Sequence, residues 1–305
     1  MPNPDVRPAG QEDIRRVLKA PHAQSHKYTR GVLGVLTGSE TYPGAGLMSV
    51  RAAVNSGVGL VQFSGSEQLN FLMHLQVPEA VCSSADPLGL RVDAWALGSG
   101  VTGERRLEQV RTIIARGAPA VLDAAAVALA AQLLAEGTAL APRQVLTPHA
   151  GELADFFTWI SALAPHLLKG LKAPDRTEID ASPAVWATLA AQVSGATVLL
   201  KGGTAYIASP AGNVLTVSGN SPWLATAGSG DTLTGILGAL LARYEADTES
   251  SKTAEDYAAL AAAALTVHGG AADALHAPGR QGPAPATLLA PYIPSALARL
   301  LAHSV

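Results

Sequence analysis

Cysteine is almost missing from this chain. Cys82 stands alone among 305 residues, so no internal disulfide can form, and no Cys/His spacing suggests a structural zinc. A basic surplus is missing too: 21 Lys and Arg face 24 Asp and Glu, a formal charge of −3. With no Lys/Arg cluster interleaved with aromatics, nucleic acid is not an expected partner. No apolar run is long enough to span a bilayer. The Ala-rich stretches at 124–135 and 258–267 fall short, and Met1 to Lys19 is polar without an apolar core. Neither secretion nor membrane insertion is expected, and cytoplasm is the expected location. Internal repeats and a G-x-x-x-x-G-K-[ST] phosphate loop are absent as well. What remains is a chain with 48% hydrophobic residues, long enough to bury a sizeable core.

Short β-branched runs alternate with longer Ala/Leu-rich segments. Strands are predicted at 31–37, 58–63, 93–97, 120–123, 144–147 and 197–201. Helices are predicted at 44–56, 104–116, 124–136, 151–158 and 183–193. This βα alternation predicts an α/β fold, a mostly parallel central sheet with helices on both faces in three α/β/α layers. Segments 204–208 and 214–217 read as a hairpin, and long helices follow at 229–244 and 253–276. One domain over 1–305 is expected, with 1–26 an N-terminal extension and 159–182 a surface insertion rich in turn residues and charge.

Residues 225–242 carry the strongest signal. From Asp231 onward, Leu233, Ile236, Leu237, Leu240 and Leu241 recur at three and four residues, the pattern of a helix with one buried face. Gly228 and Gly230, with Ser229 between them, stand at its mouth. Their amides and the helix dipole make an anion hole suited to phosphate. Asp231 beside that hole reads either as a base next to a phosphate or as a plain helix cap.

Other motifs lie at the ends of predicted strands, where open α/β sheets bind ligands. Gly38-Ser39-Glu40-Thr41-Tyr42-Pro43-Gly44-Ala45 is a small-residue loop or an ordinary turn. Gly98-Ser99-Gly100-Val101-Thr102-Gly103 is a literal G-x-G-x-x-G, and Asp123 sits where a ribose-binding acid would, which keeps a Rossmann dehydrogenase open. In Leu146-Thr147-Pro148-His149-Ala150-Gly151-Glu152, His149 is placed to donate to a ligand oxygen or to make a structural hydrogen bond. Lys201-Gly202-Gly203-Thr204 offers a cation, two flexible amides and a hydroxyl, a nucleotide contact or a hairpin turn. No metal-ligand set is readable.

Taken in order, these five motifs over roughly residues 27–275 resemble the ADP/ATP-dependent NAD(P)H-hydrate dehydratases of the ribokinase-like superfamily. The resemblance implies repair of NADHX and NADPHX, the hydrated forms of NADH and NADPH, with ADP or ATP consumed and Mg²⁺ assisting. It implies that Ala45, Gly100, His149 and Asp231 contact the hydrated dinucleotide. Lys201, Gly202, Gly203, Thr204, Ala205 and Gly230 would contact the adenine nucleotide, and Gly228, Ser229 and Gly230 would hold the moving phosphate. Asp231 would accept the proton of the substrate's C6 hydroxyl. The family usually carries a polar or acidic residue within two positions after Asp123, whereas Ala124, Ala125 and Ala126 follow here. Residues 1–26 are too few for the epimerase domain often fused to this family, so a separate epimerase is the expected pathway partner, and a homo-oligomer such as a tetramer is expected. Two other readings remain: a ribokinase-like kinase of vitamin precursors, and a non-catalytic nucleotide-binding module.

Overall fold

The computed structural model describes residues 4–302. Residues 1–3 and 303–305, the ends of the expected extension and domain, lie outside the described residues. The chain runs β1 (Asp5–Pro8), α1 (Gln11–Val17), β2 (Val32–Leu36), α2 (Pro43–Asn55), β3 (Leu60–Ser64), α3 (Glu67–Gln76), β4 (Val81–Ser83) and β5 (Ala94–Leu97). Next come α4 (Glu104–Ala115), β6 (Ala120–Leu122), α5 (Ala125–Ala135), β7 (Gln144–Leu146), α6 (Ala150–Leu163), α7 (Arg176–Ala181) and α8 (Pro183–Ser194). The last part is β8 (Thr197–Leu200), β9 (Ala205–Ala208), β10 (Asn213–Val217), α9 (Ser229–Ala246), α10 (Ala254–Asp273), α11 (Ala286–Leu289) and α12 (Ile293–Ala302).

The strands form one ten-stranded sheet in the order β1-β10-β9-β8-β7-β6-β5-β2-β3-β4. From β8 to β4 every pairing is parallel, while β9 is antiparallel to both β8 and β10. This is the predicted mostly parallel sheet, hairpin included. The side-chain period of two sorts the core: Ala96, Val121, Val145 and Leu199 face one layer, and Leu97, Leu122, Leu146 and Leu200 face the other. Helices α1, α2, α3, α9, α10 and α12 cover the first face, and α4 to α8 the second. Both faces being covered explains why the central strands read as continuous apolar runs.

The sequence reading named no element for α3, β4, α7, α11 or α12, and two further segments differ from it. Residues 5–17, within the expected extension, add β1 in parallel to β10 and pack α1 against α10, burying Ile14 and Val17. A four-residue strand that is exposed throughout has no hydrophobic period to detect. Helix α6 continues past 158 to Leu163, because nothing interrupts it before Pro165, and Ile160, Leu168 and Ile179 are buried in the core. No helix of the described residues is long and apolar enough to cross a membrane.

Helix α9 is carried to the sheet by close approach to α2. A Cβ built on Gly235 would lie 2.1 Å from the Ser49 backbone oxygen, so only glycine permits this contact. Gly235→Ala is expected to destabilise the fold by about 1–3 kcal/mol through overpacking. Urea unfolding measures it, and an unchanged midpoint would contradict this account.

Candidate active site

Five loops follow β2, β5, β6, β7 and β8 at the carboxyl edge of the sheet, and α9 brings its N-terminus to the same edge. At the centre is Asp123, one residue past β6 and only 4% exposed. Its Oδ1 accepts from Lys201 Nζ at 2.8 Å and from Thr147 Oγ1 at 2.8 Å, and its Oδ2 accepts from Ser99 Oγ at 2.7 Å. Burial alone would push this carboxyl up, but Lys201 and the two hydroxyls outweigh it and hold Asp123 below the usual carboxylate range. Burial would likewise pull Lys201 down, yet Asp123 and Glu152, the latter at 3.7 Å, raise it. The next residue, Ala124, has φ +48°, a strained value for a side chain with Cβ, at the point where β6 turns into α5.

Asp231, in the first turn of α9, is shifted the opposite way. Burial and the neighbouring Asp123 raise its proton affinity, with Ser99 and Lys201 offsetting only part. Two carboxyls on either side of Ser99 thus have their pKa values driven apart, the pattern that separates a permanent charge from a working base. Gly230 leaves the space between them open: a Cβ there would stand 3.7 Å from Lys201 Nζ and 4.0 Å from Asp123 Oδ2.

The helix mouth is built by Gly228 at φ +88°. The Ser229 amide turns back to the Thr226 carbonyl at 3.3 Å, whereas those of Gly230 and Asp231 have no acceptor among the described residues. Of the anion hole read from the sequence, the open amide donors therefore include Gly230 and Asp231, with Ser229 committed. The Ser229 side chain is buried, its Oγ 3.3 Å from His268 Nε2. Burial pushes the His268 imidazole down to about 4, so it is neutral.

Ala45 and Gly100 come together, since a Cβ on Gly100 would lie 2.7 Å from that of Ala45. The Gly38 amide donates to the Ser99 carbonyl at 2.6 Å and joins the two loops. His149 is an exposed helix cap: its Nδ1 accepts from the Glu152 amide at 3.1 Å, and its backbone lies beside Lys201 as an isolated parallel bridge. Its Nε2, 3.8 Å from Glu152, is the nitrogen left for a ligand. Gly202 and Gly203 are exposed, Thr204 is half-buried and Ala205 enters β9. Among the described residues no hydrogen bond joins residues 202–205 to 228–230.

Sequence reasoning left Asp123 to the dehydrogenase alternative, whereas the structure buries it in an ion pair with Lys201 and bonds both its oxygens to neighbouring strand ends. Sequence reasoning also missed Ser99, Thr147 and His268. Ser99 and Thr147 follow the strands on either side of β6, a register that neighbouring strand ends disclose. His268 is a lone imidazole in the Ala-rich interior of α10.

A family model described as NAD(P)H-hydrate dehydratase matches residues 33–295. The chain is 37% identical over 234 residues to the bifunctional NAD(P)H-hydrate repair enzyme Nnr of Mycobacterium tuberculosis, covering 75% of this chain and 45% of that protein. It therefore spans about half the length of the curated relatives it matches first. It is 33% identical over 271 residues to the ADP-dependent (S)-NAD(P)H-hydrate dehydratase of Neisseria meningitidis, covering 85% and 82%. In structure it is similar to the ADP/ATP-dependent NAD(P)H-hydrate dehydratase of Bacillus subtilis co-crystallised with ATP and Mg²⁺, with 26% identity, TM-score 0.75, and 98% and 99% of the two chains covered.

The Asp123–Lys201 pair sets a prediction for stability. Lys201→Met leaves a buried carboxylate without its cation, at a cost of about 3–5 kcal/mol near pH 8. Burial of Asp123 is then opposed only by the Ser99 and Thr147 hydroxyls, so its folded pKa rises above the unfolded value and the deficit shrinks as pH falls and the group protonates. Denaturant unfolding at pH 8 and pH 5 reads both effects, and a deficit that grows towards acid would contradict them.

Proposed function

The chain belongs to the NAD(P)H-hydrate dehydratase family, and from that premise we propose that it repairs hydrated nicotinamide cofactors, converting NADHX and NADPHX to NADH and NADPH at the expense of ADP or ATP. One observation carries the reading: a carboxyl with raised proton affinity, Asp231, stands at a helix mouth whose Gly230 and Asp231 amides are open. The ribokinase-like fold places that mouth at the carboxyl edge of the sheet.

On this reading Asp231 takes the proton of the substrate's C6 hydroxyl while that oxygen bonds to the terminal phosphorus of the nucleotide. The bond to the departing AMP, or ADP when ATP is used, breaks. The C6 phosphate then leaves with its bonding pair as the ring nitrogen donates electrons, and loss of the C5 proton restores the reduced ring. The open amides stabilise charge on the moving phosphoryl group. Lys201 is the cation nearest Gly230, and residues 201–205 would face the adenine nucleotide. Ala45, Gly100 and His149 would face the dinucleotide from the other loops.

Among the described residues no group of three or more His, Cys, Asp or Glu side chains is placed to hold a metal, and both Asp123 oxygens are committed. These residues fit Mg²⁺ only as a companion of the nucleotide's phosphates, with Glu152, 3.7 Å from Lys201, the carboxylate that would reach its water shell. When bound, Mg²⁺ supplies charge neutralisation to those phosphates.

Incubation with NADHX and either nucleotide should regenerate NADH with release of inorganic phosphate. A stable phosphorylated product without NADH would mark a small-molecule kinase, and nucleotide binding without phosphate release a silent module. Asp231→Asn should lower kcat by about 100- to 10,000-fold. Because the folded pKa of Asp231 is raised, its ionised form costs stability at neutral pH, so the variant should melt no lower than the parent at pH 7. The acidic limb of kcat/KM in the parent should lie above the ordinary carboxylate range. Near-normal turnover in the variant would sink this role.

A further inference from the structure

The reaction described above has no use for His268, although this residue is buried, 4% exposed, and touches the first residue of α9. The Ser229 side chain is itself 7% exposed, so its hydroxyl points into the protein rather than out to a phosphate. The Oγ to Nε2 distance is 3.3 Å. The adjoining residue of α10 grips the same loop further back: a Cβ on Gly269 would lie 2.0 Å from Asn220 Oδ1, so the Asn220 side chain is seated directly on the helix backbone. Two consecutive residues of α10 thus touch the loop that leads into the phosphate-binding mouth at its beginning and at its end.

We propose that His268 is a positioning residue: through its hydrogen bond to Ser229 it holds the first turn of α9 so that the Gly230 and Asp231 amides converge on the terminal phosphate of the adenine nucleotide. The inference rests on the nucleotide reading of that mouth. A neutral imidazole suits the task, since burial keeps it uncharged and either tautomer can bond a hydroxyl, which both donates and accepts. A cation there would instead have to be desolvated without a carboxylate to pair with. Because the hydroxyl is directed inward, its loss removes an anchor and no contact to the ligand. The effect should therefore fall on the group that the helix mouth grips and spare the rest of the nucleotide.

ADP and AMP differ by the phosphate in question, so calorimetric binding of both to the full chain isolates it. His268→Leu should weaken ADP binding by about tenfold and leave AMP binding within twofold, as expected for donors misaligned at one phosphate. In turnover, kcat should fall by about 10- to 100-fold with the KM for NADHX unchanged. His268→Gln, which restores a donor and acceptor at similar reach, should recover most of both losses. Ser229→Ala should reproduce the His268→Leu losses, and the double variant should add nothing further. Equal weakening of ADP and AMP, no recovery with glutamine, or additive losses in the double variant would overturn the positioning role. A parent protein that binds ADP no better than AMP would overturn the phosphate-binding mouth itself, and the inference with it. Should His268→Leu fail to fold, Ser229→Ala and His268→Gln carry the same comparison.

Discussion

A carboxylate buried at the centre of a sheet edge must be neutralised or paired, and the pairing of Asp123 with Lys201 is the constraint around which this site is arranged. The two residues come from strands two places apart, β6 and β8, and between them β7 supplies Thr147. Ser99 arrives from β5 on the other side. Four neighbouring strand ends are therefore tied through one carboxyl group. That tie sets the height of the 98–103, 147–152 and 201–205 loops relative to one another, and these loops carry Gly100, His149 and the 201–205 segment. A single buried charge so ties together the two halves of the candidate site.

The same charge works at a distance on Asp231. Lys201 neutralises Asp123 but sits on it, so Asp231 feels the negative neighbour more than the cation, and its proton affinity rises. Ser99 donates to Asp123 and lies near enough to Asp231 to offset part of that rise. The strained Ala124 backbone follows directly on Asp123. Strain of this kind persists only where surrounding contacts over-determine it, and the three side chains bonded to Asp123 supply that over-determination.

Most of the architecture was legible because a sheet covered on both faces writes its strands as unbroken apolar runs and its helices as Ala/Leu segments between them. The parallel strands β2, β3, β5, β6, β7 and β8 followed from that, as did the β9–β10 hairpin around its Ser-Pro-Ala-Gly-Asn turn, whereas the three-residue strand β4 was too short to show. Strand β1 and helix α1 did not, because edge strands exposed on both sides have no period and their pairing is decided by β10 far along the chain. At the site, the Gly228 to Asp231 mouth could be read because helix periodicity begins right behind it. Asp123 could be seen but not interpreted: sequence places an acid after a strand, whereas its meaning depends on a lysine 78 residues away. His149 shows the converse. Its motif pointed to a ligand contact, and the fold also spends its Nδ1 on capping α6, so one imidazole nitrogen is structural and only the other is free to bind.

An acid at the mouth of an anion-binding helix at first looks self-defeating, since the phosphate and Asp231 repel. The repulsion has a use. Before nucleotide arrives, the amides and dipole at the start of α9 favour the ionised carboxylate, and Lys201 adds to that. On the proposed reading, a terminal phosphate seated on the Gly230 and Asp231 amides would take up those donors and add negative charge beside the carboxyl, raising its proton affinity further. Asp231 would then be a stronger base once the phosphate to be transferred is in place. In the proposed reaction, nucleotide occupancy and hydroxyl activation would be coupled by charge alone, with no moving part, provided the helix mouth stays where Asp123 and Lys201 hold the sheet edge beneath it.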